Sequence, residues 1–158
     1  MRPTLLLPML LLSTQALALD ATCETYLAAA EKSAKQPARH SISEPGDGSS
    51  HEAIIVDGKF FSNLGGDWQV IPGAQLLKGE LKMIEQIRAG KYPMTNCRKA
   101  GSERFEGVST SVITYTLTMP GMAPAETRTF IGADGLVYGQ SSGGMRVRHR
   151  YTGVKAPL

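Results

Sequence analysis

The sequence predicts an α+β domain in which a curved antiparallel sheet of about seven strands carries two helices on its concave face. Two segments have apolar residues at helical spacing, whereas the C-terminal half contains only alternating segments typical of strands. Short turns rich in glycine join these segments, and such turns connect antiparallel neighbours. The predicted order is one helix, three short strands, a second helix and four longer strands.

The two helices are predicted from apolar residues that recur every three or four positions. The first begins after Asp20, a residue that can cap a helix N-terminus, and Pro37 ends it. The second covers residues 74–89 and is stopped by Gly90. Their apolar faces contain Cys23, Tyr26, Leu27, Ala30 and Ala34 in the first helix and Leu77, Leu81 and Ile84 in the second.

The strands are predicted from runs of β-branched and aromatic residues between turns. The three short strands cover residues 53–56, 59–61 and 68–71, and the four longer strands cover residues 105–119, 127–133, 136–141 and 145–151. Asp57-Gly58 and Asp134-Gly135 are typical of primed hairpin turns. Residues 39–50 are rich in Ser, Gly, Pro and charged side chains, which predicts an exposed loop.

Residues 1–18 have the features of a cleaved signal peptide. A single basic residue, Arg2, precedes an apolar run that is shorter than the ~20 residues needed to span a bilayer. The small residues Ala16 and Ala18 predict cleavage after Ala18. We therefore expect a periplasmic protein whose residues 19–158 form a single domain without a membrane span.

The net charge excludes one class of function, and the cysteine count predicts a disulfide. The formal net charge is +3, and loss of Arg2 with the signal peptide leaves +2, which is too small for a nucleic-acid binder. Cys23 and Cys97 are the two cysteines of the chain. An oxidising compartment favours a disulfide between them, and a reactive thiol or two separate thiols are the alternatives.

The candidate binding site is a row of arginines on the last strand. Arg146, Arg148 and Arg150 share one strand face at a spacing of about 7 Å, and Lys155 follows them. This set predicts a docking surface for an acidic partner or an anionic headgroup. The alternative is that the arginines keep the sheet soluble and prevent edge aggregation.

No motif of an enzyme, a cofactor site or a metal site is present in the sequence, so we expect a non-enzymatic protein without a cofactor. For each of the three histidines, His40, His51 and His149, we expect a solvated or structurally satisfied side chain and not a general base, because the scattered carboxylates suggest no matched acid and base. Soft thioether ligands suit copper(I), and Met119, Met122 and Met145 could gather near His149. The alternative, which we favour, is that Met119 and Met145 fill the core while Met122 lies in a turn.

The order of elements and two C-terminal segments resemble the half-barrel of LolA-like lipoprotein carriers. The segments are the hairpin Thr129-Phe130-Ile131-Gly132-Ala133-Asp134-Gly135-Leu136-Val137 and the strand ending in Tyr151-Thr152-Gly153-Val154-Lys155-Ala156-Pro157. The resemblance implies an acyl chain or a lipidated partner between the sheet and the helices. It carries over no individual functional residue.

Two functions fit these expectations. The first is a monomeric periplasmic binding protein that holds an apolar or lipid-like ligand in the concave face of the sheet. The second is a protein–protein module, such as an inhibitor or immunity protein of an envelope-acting toxin or hydrolase. The first predicts a cavity between sheet and helices, and the second predicts a filled core with an outward functional surface.

Overall fold

A computed structural model describes residues 19–157 of the chain. Helix α1 covers Ala21–Ala34 and helix α2 covers Gly73–Arg88. The carboxylate of Asp20 accepts hydrogen bonds from the backbone N–H groups of Thr22 and Cys23, as an N-cap does. The structure contains both predicted helices, so these two predictions are confirmed. The predicted signal peptide and its cleavage after Ala18 lie outside the described residues.

Nine strands form one antiparallel sheet. They are β1 Arg39–Glu44, β2 His51–Val56, β3 Lys59–Asn63, β4 Trp68–Pro72, β5 Met94–Phe105, β6 Val108–Leu117, β7 Ala125–Gly132, β8 Val137–Ser142 and β9 Met145–Arg150. Their order across the sheet is β4-β3-β2-β1-β9-β8-β7-β6-β5. The α+β class and the antiparallel sheet are confirmed, whereas the prediction of about seven strands is wrong by two.

The first additional strand is β1, which lies within residues 39–50, the segment predicted to be an exposed loop. It pairs with β2 on one side and with β9 on the other, so it joins the two halves of the sheet. Five of its six residues are polar, and Ile42 is the one aliphatic residue among them. Because the hydrophobic alternation of a half-buried strand is absent, the sequence pattern conceals the pairing.

The second additional strand is β5, which precedes the predicted strand at residues 105–119. A turn at Glu106-Gly107, where both φ angles are positive, separates β5 from β6. Register shifts interrupt the β5–β6 ladder between Thr95 and Arg98 and again between Lys99 and Ser102. These bulges and the many charged residues of β5 break the period-two pattern from which strands are predicted.

The two predicted primed turns have different outcomes. Asp57 and Gly58 have φ angles of 52° and 70°, as a type I′ turn requires. In the Asp134-Gly135 pair only Gly135 has a positive φ, and its backbone N–H donates to the carbonyl of Gly132. The second connection is therefore a longer turn ending in a left-handed glycine, so its assignment as a primed turn is wrong.

A disulfide joins α1 to β5. Cys23 and Cys97 are bonded, with their Cα atoms 5.3 Å apart, as the sequence predicts. Cys97 lies in the first bulge of β5, beside Asn96 with its positive φ of 55°. A bulge changes the direction of the following side chain, and here it accompanies the bond to the helix.

The order of the strands determines the path of α2. Strands β4 and β5 are consecutive in the chain but form the two opposite edges of the sheet. The connection between them must therefore cross a face of the sheet, and α2 makes most of that crossing. Helix α1 packs on the same face. Its Leu27 is fully buried and belongs to one core cluster with Ile113, Tyr115 and Ile131 of the sheet.

The opposite face of the sheet has its own apolar cluster. Phe105, at the tip of the β5–β6 hairpin, stacks on Phe130 with ring centroids 4.2 Å apart. Its ring also lies against Gly139 of β8, where any larger side chain would collide with it. The hairpin tip therefore folds back over the neighbouring strands, and both faces of β6 are buried around Val112.

Reducing the disulfide should lower the free energy of unfolding by about 4 kcal/mol, because the bond closes a long loop in the unfolded chain. Urea titrations with and without a reductant measure this change. The double variant Cys23→Ala, Cys97→Ala should have the stability of the reduced protein and should not respond to the reductant. Equal stability of the oxidised and reduced protein would contradict the expectation.

Candidate functional site

A cavity of about 630 Å³ lies between the two helices and the sheet. This volume falls in the range of small-molecule binding sites, which is roughly 300–1,000 Å³. The lining residues come from α1, α2 and four strands: Tyr26, Ala30, Ser33, Ala34, Arg39, Ile71, Gln75, Leu76, Gly79, Glu80, Met83, Ile84, Val137, Gln140 and His149.

The cavity exists because both helices present small residues toward it. Ala30 and Ala34 lie one turn apart on α1, so they occupy the same helix face. On α2 the corresponding small residue is Gly79, where an added Cβ would meet no atom within 4 Å. Larger apolar residues, such as Leu76 and Met83, form the surrounding wall. Most of the surface available to a ligand is therefore apolar.

One part of the cavity wall is polar. The Arg39 guanidinium of β1 lies 2.5 Å from the Glu80 carboxylate of α2, and the Arg39 side chain is only 11% exposed. Two atoms of this ion pair, Arg39 Nε and Glu80 Oε2, are buried without a hydrogen-bond partner. Buried polar atoms usually have partners, so this ion pair is an unusual polar feature of the cavity wall.

His149 of β9 also lines the cavity. Its Nδ1 lies 2.8 Å from the Ser41 hydroxyl of β1. Burial lowers the pKa of His149 to about 3, and the positive charge of Arg39 contributes to the same shift. A serine beside a histidine is a part of nucleophilic sites, but a histidine with this pKa is a poor base. Among the hydrogen bonds of residues 19–157, none joins His149 to an orienting carboxylate.

A second cavity, of about 300 Å³, lies beside the first on the same sheet face. Met119, Met122 and Met145 line it together, whereas His149 lines the larger cavity. Met145 is 45% exposed, so the expectation that it fills the core is wrong. The described part of the chain contains no group of three or more His, Cys, Asp or Glu side chains suited to a metal ion.

The arginines of the predicted docking surface lie on the sheet face opposite the cavity. Glutamates contact two of them: Glu106 lies 2.7 Å from Arg146, and Glu44 lies 2.9 Å from Arg148. The Arg150 guanidinium lies 3.2 Å from His40 Nδ1. Part of the positive charge is therefore neutralised within the protein.

Lys155 is exposed in the segment that follows β9, away from the paired part of the strand. The structure thus brings Arg146, Arg148 and Arg150 together on one strand face. That these four residues form a docking surface stays a prediction.

Sequence reasoning missed Arg39, Glu80 and Gln140 as lining residues. Arg39 was assigned to a loop, and Glu80 lies on a helix whose polar residues are typical of a solvated face. Gln140 belongs to a strand where polar residues alternate without any motif. Arg39 of β1 lies opposite Ile55 of β2. This position would have marked Arg39 as part of the sheet, but the pairing is visible only in the structure.

Neither helix of residues 19–157 has the length and the apolar character needed to cross a membrane. No protein-family model matches the chain. No curated protein matches it either.

Several solved structures are similar to this chain. The lipoprotein LppX of Mycobacterium tuberculosis has a TM-score of 0.47 at 16% identity, over 87% of this chain and 95% of that chain. LprF from Mycobacterium bovis has a TM-score of 0.44 at 8% identity, over 87% and 94%. MucB has a TM-score of 0.49 at 17% identity, over 87% of this chain and 62% of its own.

These structures are consistent with the resemblance to LolA-like lipoprotein carriers that the sequence shows. The TM-scores are below 0.5 and the identities are at most 17%. The likeness therefore concerns the fold alone and bears on neither the ligand nor the partners of this chain.

The depressed pKa of His149 should make the stability of the protein depend on pH. Histidine in an unfolded chain has a pKa of about 6.5. Below that pH the unfolded state binds a proton at His149 that the folded state does not bind. The stability that comes from the neutral ring is therefore fully present above pH 6.5 and falls as the pH is lowered toward the folded pKa of about 3. Between pH 7 and pH 5.5 the free energy of unfolding should decrease by about 1 kcal/mol.

Urea titrations at the two pH values measure this decrease. The His149→Asn variant should lose the dependence, because asparagine does not titrate. The His51→Asn variant is the matched control and should retain the dependence on His149. An identical decrease in wild type and His149→Asn would show that His149 is not its source.

Proposed function

We propose that the chain is a non-enzymatic binding protein that holds an apolar or lipid-like ligand between the sheet and the two helices. The observation that carries this proposal is the cavity of about 630 Å³ with a mainly apolar lining. An apolar cavity of this size favours an apolar ligand, because moving apolar surface out of water stabilises the complex.

The polar wall supports a ligand with one polar group. Arg39 Nε and Glu80 Oε2 are buried without partners, and both groups belong to residues that line the cavity. The pair is formally neutral, so it suits a hydroxyl, an amide or an ester better than a fully charged phosphate. An amphiphile with a small polar head and an apolar chain satisfies both parts of the site.

We also propose that the protein works in the periplasm as a single domain after cleavage behind Ala18. The Cys23–Cys97 disulfide supports an oxidising compartment, since cytosolic proteins rarely keep structural disulfides. We expect a monomer. The alternative, a protein–protein module, receives less support because the arginines on which it depends contact glutamates of the same chain.

A large side chain at position 79 should block the cavity without destabilising the fold. Gly79 lies in α2, lines the cavity and has free space where a Cβ would stand. Gly79→Phe should reduce the affinity for a dansyl-labelled fatty acid by at least about tenfold, which corresponds to ~1.4 kcal/mol. Fluorescence titration of the probe measures the dissociation constants.

Gly79→Ala is the matched control, because it changes the helix backbone in the same way but adds only one methyl group. It should keep the wild-type affinity and raise the free energy of unfolding by about 0.5–1 kcal/mol, since alanine is the better helix former. If Gly79→Phe folds and binds the probe as tightly as Gly79→Ala does, the ligand does not occupy this cavity.

A further inference from the structure

The two cavities on the helix-covered face are neighbours, and Tyr26 and Gln140 line both of them. The larger cavity lies between the helices and holds the polar Arg39–Glu80 pair. The smaller one lies beyond Tyr26, and its lining includes Met119, Met122 and Met145. The side chains of Tyr26 and Gln140 thus form the boundary between two apolar spaces.

Hydrogen bonds fix this boundary in place. Gln140 Nε2 lies 3.0 Å from the Tyr26 hydroxyl, 3.2 Å from the Tyr115 hydroxyl and 3.3 Å from Thr129 Oγ1. The rings of Tyr26 and Tyr115 stack with their centroids 4.5 Å apart. Thr129 and Tyr115 are 0% and 4% exposed, so the boundary is anchored in the core.

The boundary stays uncharged and is supported from three strands. Burial raises the pKa of Tyr26 and of Tyr115, so both phenols keep their protons at physiological pH. Tyr115, Thr129 and Gln140 belong to β6, β7 and β8, whereas Tyr26 alone comes from a helix. Removing the Tyr26 ring therefore opens the boundary and leaves the strand residues in place.

We propose that Tyr26, held by Gln140, sets the length of the apolar chain that the protein accepts. The chain occupies the larger cavity and ends at the Tyr26 ring, and the methionine-lined cavity stays outside the binding site. This inference rests on the proposed function, because it assumes an apolar chain between sheet and helices. It assigns to Tyr26 and Gln140 a role in specificity for chain length.

The physical reason is the cost of disturbing a buried network. Each methylene that is taken out of water raises the affinity by about fourfold. A longer chain must displace Tyr26 from its ring stack and from Gln140 before the next methylene gains contact. The affinity should therefore rise with chain length and then stop rising.

The methionine-lined cavity is suited to receive a chain once the boundary is open. Met119, Met122 and Met145 have flexible, polarisable side chains that adapt to an apolar ligand. Met122 is 65% exposed, so the chain would cover apolar surface that now faces water. The opened channel should thus extend the site by several methylenes.

The test compares wild type with Tyr26→Ala. A series of saturated monoacylglycerols of increasing chain length displaces a dansyl-labelled fatty acid, and the displacement gives their dissociation constants. In wild type the affinity should rise about fourfold per methylene up to a limiting length and then stay constant. In Tyr26→Ala the limiting length should increase, and the longest chain should bind at least about tenfold more tightly than to wild type.

Three further variants make the result specific. Tyr26→Phe keeps the ring and its stack on Tyr115 but loses the hydrogen bond to Gln140, so it should raise the limiting length less than Tyr26→Ala does. Ile71→Ala removes a lining side chain of the larger cavity away from the boundary, so it should weaken all chain lengths by the same factor. Filling the smaller cavity with Met145→Trp in the Tyr26→Ala background should restore the wild-type limit.

Gln140→Ala provides a second opening of the same boundary and should also increase the limiting length, which keeps the test valid if Tyr26→Ala does not fold. An identical limiting length in wild type and in folded Tyr26→Ala or folded Gln140→Ala would overturn the inference. Wild type that binds none of the probes would instead contradict the proposed function, so the two failures are distinguishable.

Discussion

The antiparallel pairing of β1 with β9 is the constraint on which the rest of the structure depends. It runs from His40 opposite Arg150 to Glu44 opposite Arg146 and joins two meanders into one sheet of nine strands. Once the meanders are joined in this way, β4 and β5 become the two opposite edges. The chain between them has to return across the sheet, and α2 therefore covers the face on which the cavity lies.

The cavity follows from this path together with a few small side chains. Helix α2 contacts β3 and β4 near one edge of the sheet, whereas α1 contacts β5, β6 and β8. Ala30, Ala34 and Gly79 keep the space between the helices open. The disulfide fixes α1 to β5 at one edge, and the Arg39–Glu80 ion pair joins α2 to β1 near the centre. The two helices are thus tied to different strands, with the apolar space between them.

Local signals in the sequence predict a large part of this fold. Helical periodicity, the Asp20 cap, the Asp57-Gly58 turn and the cysteine pair each depend on neighbouring residues or on counting, and each is confirmed. Strands β1 and β5 are not predicted because their sequences lack a clear alternation of apolar and polar residues: β1 is mainly polar, and β5 contains two bulges. Pairing with the neighbouring strands makes up for this weak local pattern.

The candidate site is less predictable for the same reason. Arg39 is distant in sequence from Gln140 and His149 and comes near them only through the pairing of β1 with β9, so no spacing in the sequence connects it to them. The arginines of β9 are conspicuous in the sequence, yet their partners Glu44 and Glu106 come from a strand and a turn that the sequence pattern conceals. The row of arginines, which is the most obvious pattern in the sequence, therefore predicts a site on the sheet face opposite the cavity.

The proposed function requires an apolar ligand between the sheet and the helices. Native mass spectrometry of protein purified gently from the periplasm, followed by denaturation of the same sample, detects such a ligand. We expect an additional mass of lipid size that is lost on denaturation and is reduced in preparations of the Gly79→Phe variant. Equal occupancy by such a mass in wild type and Gly79→Phe, or only the ligand-free mass in a preparation that also fails to bind added monoacylglycerol, would contradict it.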